Sequence, residues 1–222
     1  MKYIFLCILA CLFTVNAVAQ STRPTVAVLG DSYSTFEKYI PDTNKTYYTT
    51  TDWAKTGVVN VKQTWWWQVI KKAGFKLGAN DSYSGATVSY SGYNDEDYAD
   101  RSFITRVPRL GNPDIILIFG GINDNWADTP IGEYKYEDFK RADLYRPALA
   151  KLIELAQEHY PNVTLYFIIS DDLKTEIVES TKVVCEHYGI KYVQLQGIEK
   201  ESGHPTVKGM ETIANQVLTL IK

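Results

Sequence analysis

The sequence predicts a doubly wound α/β domain, three layers (α/β/α) in which a parallel sheet is covered by helices on both faces. Short, continuous apolar runs at 25–29, 114–119 and 163–169 alternate with amphipathic helical stretches. Strands that are apolar throughout are buried on both faces, the condition of a parallel sheet between helical layers. Each run also ends in small or polar residues: Gly30-Asp31-Ser32, Gly120-Gly121-Ile122-Asn123-Asp124 and Ser170-Asp171-Asp172. Ligands in such sheets sit at the carboxyl ends of the strands, so these three clusters are expected to converge on one rim.

Taken in order, Met1-Lys2 is followed by an apolar run over 3–15 and by Ala17-Val18-Ala19, an A-x-A site before Gln20. This pattern predicts a signal peptide over 1–19, cleaved after about Ala19, and a secreted or periplasmic mature protein. An alternative reading takes Ile8-Leu9-Ala10-Cys11 as a lipoprotein signal with Cys11 acylated. No stretch reaches the roughly 20 apolar residues of a membrane span, so stable membrane insertion is not expected. The first strand, 25–29, feeds a tight turn at Gly30, and a long connection over 33–64 leads to a helix over 65–73 that opens with Trp65-Trp66-Trp67. A second long connection covers 89–100. Both connections are rich in Tyr, Thr, Asn and Asp and are expected to wall the site. Strand 114–119, helix 138–160, strand 163–169, helix 175–188, strand 191–195 and helix 206–221 complete the order. Residues 20–222 contain no repeat, low-complexity tract or linker, and are read as one domain.

Composition narrows the partners. The 222 residues carry 23 Lys+Arg against 26 Asp+Glu, a formal net charge of −3, so there is no basic footprint for nucleic acid. Beyond the predicted leader only Cys185 remains, and it lies beside Val183 and Val184 in a helical stretch. It is read as a buried, inert thiol, and no metal site is implied. The G-x-S-x-G elbow, the P-loop, the dinucleotide glycine pattern and H-E-x-x-H are all absent.

A serine becomes a nucleophile when a base takes its proton and fixed donors hold the oxyanion that forms on the attacked carbonyl. Ser32 follows a strand through Gly30-Asp31, Asn123 follows another through Gly120-Gly121, and His204 precedes Pro205 at the mouth of the last helix. These residues supply what acyl transfer needs.

The chain here resembles the SGNH hydrolases, also called GDSL esterases/lipases. Gly30-Asp31-Ser32-Tyr33-Ser34 is similar to the family's first block, Asn80-Asp81-Ser82-Tyr83-Ser84-Gly85-Ala86-Thr87 to the second, Gly121-Ile122-Asn123-Asp124 to the third and His204-Pro205 to the fifth. The resemblance implies a flavodoxin-like SGNH fold and a serine esterase acting on a small-molecule or polysaccharide acyl ester, without a cofactor. It implies Ser32 as nucleophile, His204 as general base, and an oxyanion hole from the N–H groups of Ser32 and Gly85 with the Asn123 amide. The family's last block is usually DxxH, and here it reads Glu201-Ser202-Gly203-His204, so Glu201 is the expected acid by position. Other carboxylates in reach of that role are Glu199, Asp171 and Asp172.

Asp31, Tyr33, Trp126 and Asp172 flank these blocks and are expected to contact substrate. The 16 Tyr and 5 Trp add a second signal, because exposed aromatic rings are platforms for sugars. Tyr47, Tyr48, Trp53, Tyr90, Tyr93, Tyr98 and Trp126 fall in or beside loops, whereas Trp65-Trp66-Trp67 could either face a ligand or pack beneath the long connections. An exported esterase for short acyl groups, acetyl first, on carbohydrate is the expectation. The alternatives are a lipase, lysophospholipase or thioesterase of the same family and a catalytically weak carbohydrate-binding surface protein. A flavodoxin-like phosphate or flavin binder would have no need of His204 or Asn123.

Overall fold

The computed structural model describes residues 23–136 and 142–221. The segment read as a signal peptide, with Cys11, lies outside the described residues, as does part of the predicted helix 138–160.

Five parallel strands form the sheet in the order β2-β1-β3-β4-β5, with β1 at Thr25–Gly30, β2 at Lys76–Asn80, β3 at Ile115–Phe119, β4 at Thr164–Ile169 and β5 at Lys191–Gln194. The helices are α1 (Trp65–Lys72), α2 (Phe103–Arg106), α3 (Ile122–Trp126), α4 (Tyr145–His159), α5 (Thr175–His187) and α6 (Val207–Leu220). A two-stranded hairpin, β6 (Lys200–Glu201) with β7 (His204–Pro205), stands just before α6.

Strand periodicity sorts the side chains into two cores. Val26, Val28, Leu117, Phe119, Tyr166 and Ile168 face α1 and α6, while Ala27, Leu29, Ile116, Ile118, Leu165 and Phe167 face α2, α4 and α5. Alternate residues of one strand thus bury in opposite layers, which is why β1, β3 and β4 are apolar throughout. Trp65 and Trp66 are fully buried in the α1/α6 layer, so those two rings are core and not a ligand platform.

The structure departs from the sequence expectations at the weaker elements. Strand β2, Lys-Leu-Gly-Ala-Asn, was not foreseen; it is an edge strand without β-branched residues, and Gly78 lies so close to β1 that a Cβ would stand 2.6 Å from Thr25 Cγ2. Helix α4 begins at Tyr145, with Pro147 in its first turn where a missing N–H costs nothing. Helices α2 and α3 are only 4 and 5 residues long, too short for periodicity to reveal.

The sheet order reverses between β1 and β3, making a topological switch point where the loops after the two strands part to opposite sides. Ser32 follows β1 and Asn123 opens α3 after β3.

Candidate active site

The chain leaves β1 through Gly30, where a Cβ would collide with the Ser34 side chain, and enters a single 3-10 turn over Ser32–Ser34. Asp31 caps this turn: its Oδ1 accepts the Tyr33 N–H at 3.0 Å. The turn presents Ser32 at the rim, and Ser32 Oγ lies 3.0 Å from His204 Nε2, 172 residues away in sequence. This is hydrogen-bond distance for a nucleophile and its base.

The expected oxyanion donors are knit around the same point. Tyr83 N–H donates to the Gly30 carbonyl (3.1 Å), tying the Gly85 loop to the nucleophile turn. Gly85 has φ +88° in that loop, and its N–H makes no hydrogen bond among the described residues. Asn123 Nδ2 donates one proton to the Ala86 carbonyl at 2.9 Å, leaving its second for a ligand. Gly121, at φ +89°, turns the chain into α3 so that Asn123 faces inward, and a Cβ there would stand 2.8 Å from the Tyr145 hydroxyl. The sequence reading assigned no such part to Tyr93, yet its hydroxyl donates to Asn123 Oδ1 at 2.7 Å. That bond fixes which end of the amide is the donor. Asp124 is buried behind this loop and accepts from the N–H groups of Val88 and Ser89 and from the Ser89 hydroxyl, which gives it a structural part. Burial raises its carboxyl above the usual range despite those bonds.

His204 sits on a tight hairpin. Ser202 and Gly203 both have positive φ, +50° and +77°, as a two-residue primed turn requires. The turn swings the Ser202 carbonyl to 3.2 Å from His204 Nδ1, so a neutral backbone oxygen occupies the place expected for a carboxylate. Glu201 is therefore a correction to the sequence reading: it pairs with His204 across the hairpin, but its side chain is exposed and, among the described residues, its Oε1 accepts only the Ser202 hydroxyl, at 3.4 Å. The other carboxylates are engaged elsewhere. Glu199 accepts from Thr206 (2.7 Å) and pairs with Lys208 (3.2 Å), while Asp171 and Asp172 hold Lys200 at 2.8 and 2.7 Å.

Two tyrosine hydroxyls clamp the hairpin on either side of the histidine. Tyr33 donates to the Gly203 carbonyl at 2.5 Å and Tyr48 to the Pro205 carbonyl at 2.9 Å. Desolvation lowers the His204 pKa to about 4, opposed by the Ser202 carbonyl and assisted by the positive charge of Lys200. The imidazole is thus neutral at pH 7 and ready to accept a proton.

Among the residues expected to touch substrate, Trp126 is at the site, its ring 5.8 Å from that of His204 and the residue 38% exposed. Asp31 and Tyr33 are corrections, whereas Asp172 is exposed. Asp31 is fully buried as a cap, Tyr33 is buried and spends its hydroxyl on the hairpin, and Asp172 is committed to Lys200 and the Ser170 hydroxyl. Burial pushes Asp31 up to about 7, against the Tyr33 N–H and the positive charge of Arg106, and its Oδ2 has no hydrogen-bond partner among the described residues. The long connection over 33–64 does form a wall: Tyr47 lies on His204, and Trp53, 58% exposed, packs edge-on against Tyr47 at 4.7 Å.

The doubly wound sheet brings Ser32, His204 and Asn123 to one rim, the arrangement expected of an ester hydrolase, and the pattern of the GDSL-like lipase/acylhydrolase family matches residues 24–221. The chain belongs to that family of ester-hydrolysing enzymes. It is 47% identical to a protein from Bacteroides ovatus whose crystal structure is described as that of a GDSL-like lipase, with a TM-score of 0.89 over 90% of this chain and 98% of that one. A similarly described protein from Bacteroides uniformis is 43% identical, with a TM-score of 0.86 over 90% and 95% of the two chains. At the level of fold alone, an acetyl xylan esterase from Butyrivibrio proteoclasticus is similar, with a TM-score of 0.59 and 15% identity over 88% of this chain and 62% of that one. No curated protein matches the chain.

Proposed function

We propose that this chain is an exported serine esterase that removes short acyl groups, acetyl first, from carbohydrate, through Ser32, His204 and an acyl-enzyme intermediate. The observation that carries the reading is the 3.0 Å contact between Ser32 Oγ and His204 Nε2 beside the Asn123 amide. Ser32 Oγ attacks the ester carbonyl as His204 Nε2 takes its proton, and the N–H groups of Ser32 and Gly85 with Asn123 Nδ2 hold the oxyanion. His204 returns the proton to the leaving sugar oxygen as the ester C–O bond breaks, leaving acyl-Ser32. Water then attacks the acyl carbonyl as His204 Nε2 takes its proton, and His204 returns that proton to Ser32 Oγ as the acyl–Oγ bond breaks, releasing the acid and free Ser32. No cofactor takes part in these steps.

Carbohydrate as the acyl carrier is supported by the rim. Trp126 stands exposed beside His204 and Trp53 exposed beside Tyr47, and both offer flat faces for sugar rings. A protein described as an acetyl xylan esterase shares the fold. Export is supported by the pattern of 1–19; N-terminal sequencing of the exported protein is expected to begin at Gln20, whereas a blocked Cys11 would make it a lipoprotein. The test of specificity is acetate release from acetylated xylo-oligosaccharides beside hydrolysis of p-nitrophenyl palmitate. Faster turnover of acetylated sugar is expected, and faster turnover of the long-chain ester would make the protein a lipase.

A further inference from the structure

A histidine base without a carboxylate lacks the charge that normally stabilises its imidazolium, and the Ser202 carbonyl, a neutral acceptor at 3.2 Å, replaces the orienting bond but not that charge. We propose that the ring of Tyr47, stacked on His204, supplies the missing stabilisation, holding the imidazolium that forms when Ser32 gives up its proton. This inference rests on the Ser32–His204 reading above.

The stack has a centroid separation of 3.5 Å and an interplanar angle of 7°. Two neutral rings disfavour such a face-to-face sandwich, because both faces carry negative charge density. A cation over the same face is attracted. The geometry therefore suits the protonated histidine of the transition state better than the neutral one of the resting enzyme, and only an interaction that strengthens on the way to the transition state accelerates the reaction.

Tyr47 is also held in place. Its N–H donates to Thr35 Oγ1 at 2.9 Å, and that hydroxyl donates to the Ser32 carbonyl at 3.0 Å, so the ring is registered to the nucleophile's own peptide. Its carbonyl accepts the Trp53 indole N–H at 2.8 Å. The ring thereby becomes a positioning residue, acting on substrate only through His204.

The charged and titratable groups around His204 leave this part open. On the hairpin, Lys200 is tied to Asp171 and Asp172 from the loop after β4, and Glu201 is exposed. From the β1 loop, Asp31 is buried and Tyr33 donates to Gly203; from the 33–64 connection, Tyr48 donates to Pro205. On α3, Trp126 lies tilted against the imidazole and Asp124 is bound to Val88 and Ser89.

The test replaces Tyr47 with Leu, with Phe, and with phenylalanines of increasing ring fluorination, which drains the face of negative charge at nearly constant volume. Two quantities are read: kcat on p-nitrophenyl acetate, and the His204 titration by NMR with His187, which stacks similarly on Tyr136, as internal control. Tyr47→Leu is expected to lower kcat by roughly three- to thirtyfold with KM unchanged, and Tyr47→Phe to restore most of the loss. Along the fluorinated series, kcat and the His204 pKa are expected to fall together while His187 stays still. A flat series would overturn the proposal, as would a Tyr47→Leu protein with full kcat and a raised His204 pKa, which would make the ring only a shield against water. Should Tyr47→Leu fail to fold, the fluorinated series decides alone. A parent without ester turnover but with the fluorination-dependent titration would sink the esterase reading while supporting the stabilisation of the His204 imidazolium by Tyr47.

Discussion

Replacing Glu201 by Gln removes the one carboxylate that sequence position assigns to the histidine. Were Glu201 orienting His204 and balancing its charge, the loss in kcat would be about 10⁴-fold, as in triads deprived of their acid. In the structure its side chain is exposed and, among the described residues, bonded only to the Ser202 hydroxyl, while the Ser202 carbonyl occupies Nδ1. An exposed charge acting through solvent is worth about fivefold at most. Glu201→Gln is therefore expected to keep kcat on p-nitrophenyl acetate at pH 7.5 within about fivefold of the parent, with the small remainder abolished by added salt. Initial rates across a substrate series, with circular dichroism to confirm folding, measure it. A loss beyond about a hundredfold in a folded protein would refute the reasoning, since no exposed carboxylate can supply it.

Other expectations follow from the same geometry. Asn123→Ala removes an oxyanion donor and is expected to cost about 10²- to 10³-fold in kcat, while Tyr93→Phe only frees the amide to turn and costs about two- to tenfold; equal losses in steady-state rates would give Tyr93 a direct part. Because burial lowers His204 to about 4, kcat/KM at pH 5.5 is expected to stay close to its value at pH 7.5, whereas an ordinary histidine of pKa about 6.5 would by then have lost roughly nine-tenths; a pH–rate profile distinguishes them. Asp31 works in the opposite direction on stability. Its folded pKa of about 7 lies above the unfolded value, so stability present at low pH is lost as pH rises from about 4 to 7. Asp31→Asn, which keeps an acceptor for the Tyr33 N–H, is expected to remove that loss, gaining up to about 4 kcal/mol relative to the parent at pH 8 in urea melts. His204, whose folded pKa is lowered, weakens the fold as pH falls below about 6.5, but it does so in both proteins and cancels in the difference. A pH-independent difference would show that Asp31 is ionised in the fold.

What could be read from the sequence divides along physical lines. Strands β1, β3 and β4 were legible because burial on both faces writes itself as unbroken apolar runs, and α1, α5 and α6 because amphipathic periodicity survives over two or more turns. Edge strand β2 was not, since one exposed side and a close-packed glycine leave no hydrophobic signature. In the site, Ser32, Asn123 and His204 stood out because motif spacing places them at strand ends and before a helix. Glu201 misled because it holds the place of the family's acid three residues before the histidine, whereas Ser202-Gly203 makes a primed turn that delivers a carbonyl instead. Tyr47 and Tyr93 were visible only as loop aromatics. Their parts depend on contacts across 157 and 30 residues, which no local pattern carries.

The most direct test of the account is to mix the protein, without residues 1–19, with p-nitrophenyl acetate, quench within the first turnovers, and locate acetyl by peptide mass spectrometry beside Ser32→Ala. The account predicts serine-dependent release of p-nitrophenol and an acetyl group on the peptide containing Ser32, absent from the variant. Turnover that survives Ser32→Ala, or acetyl found on another residue, would contradict it.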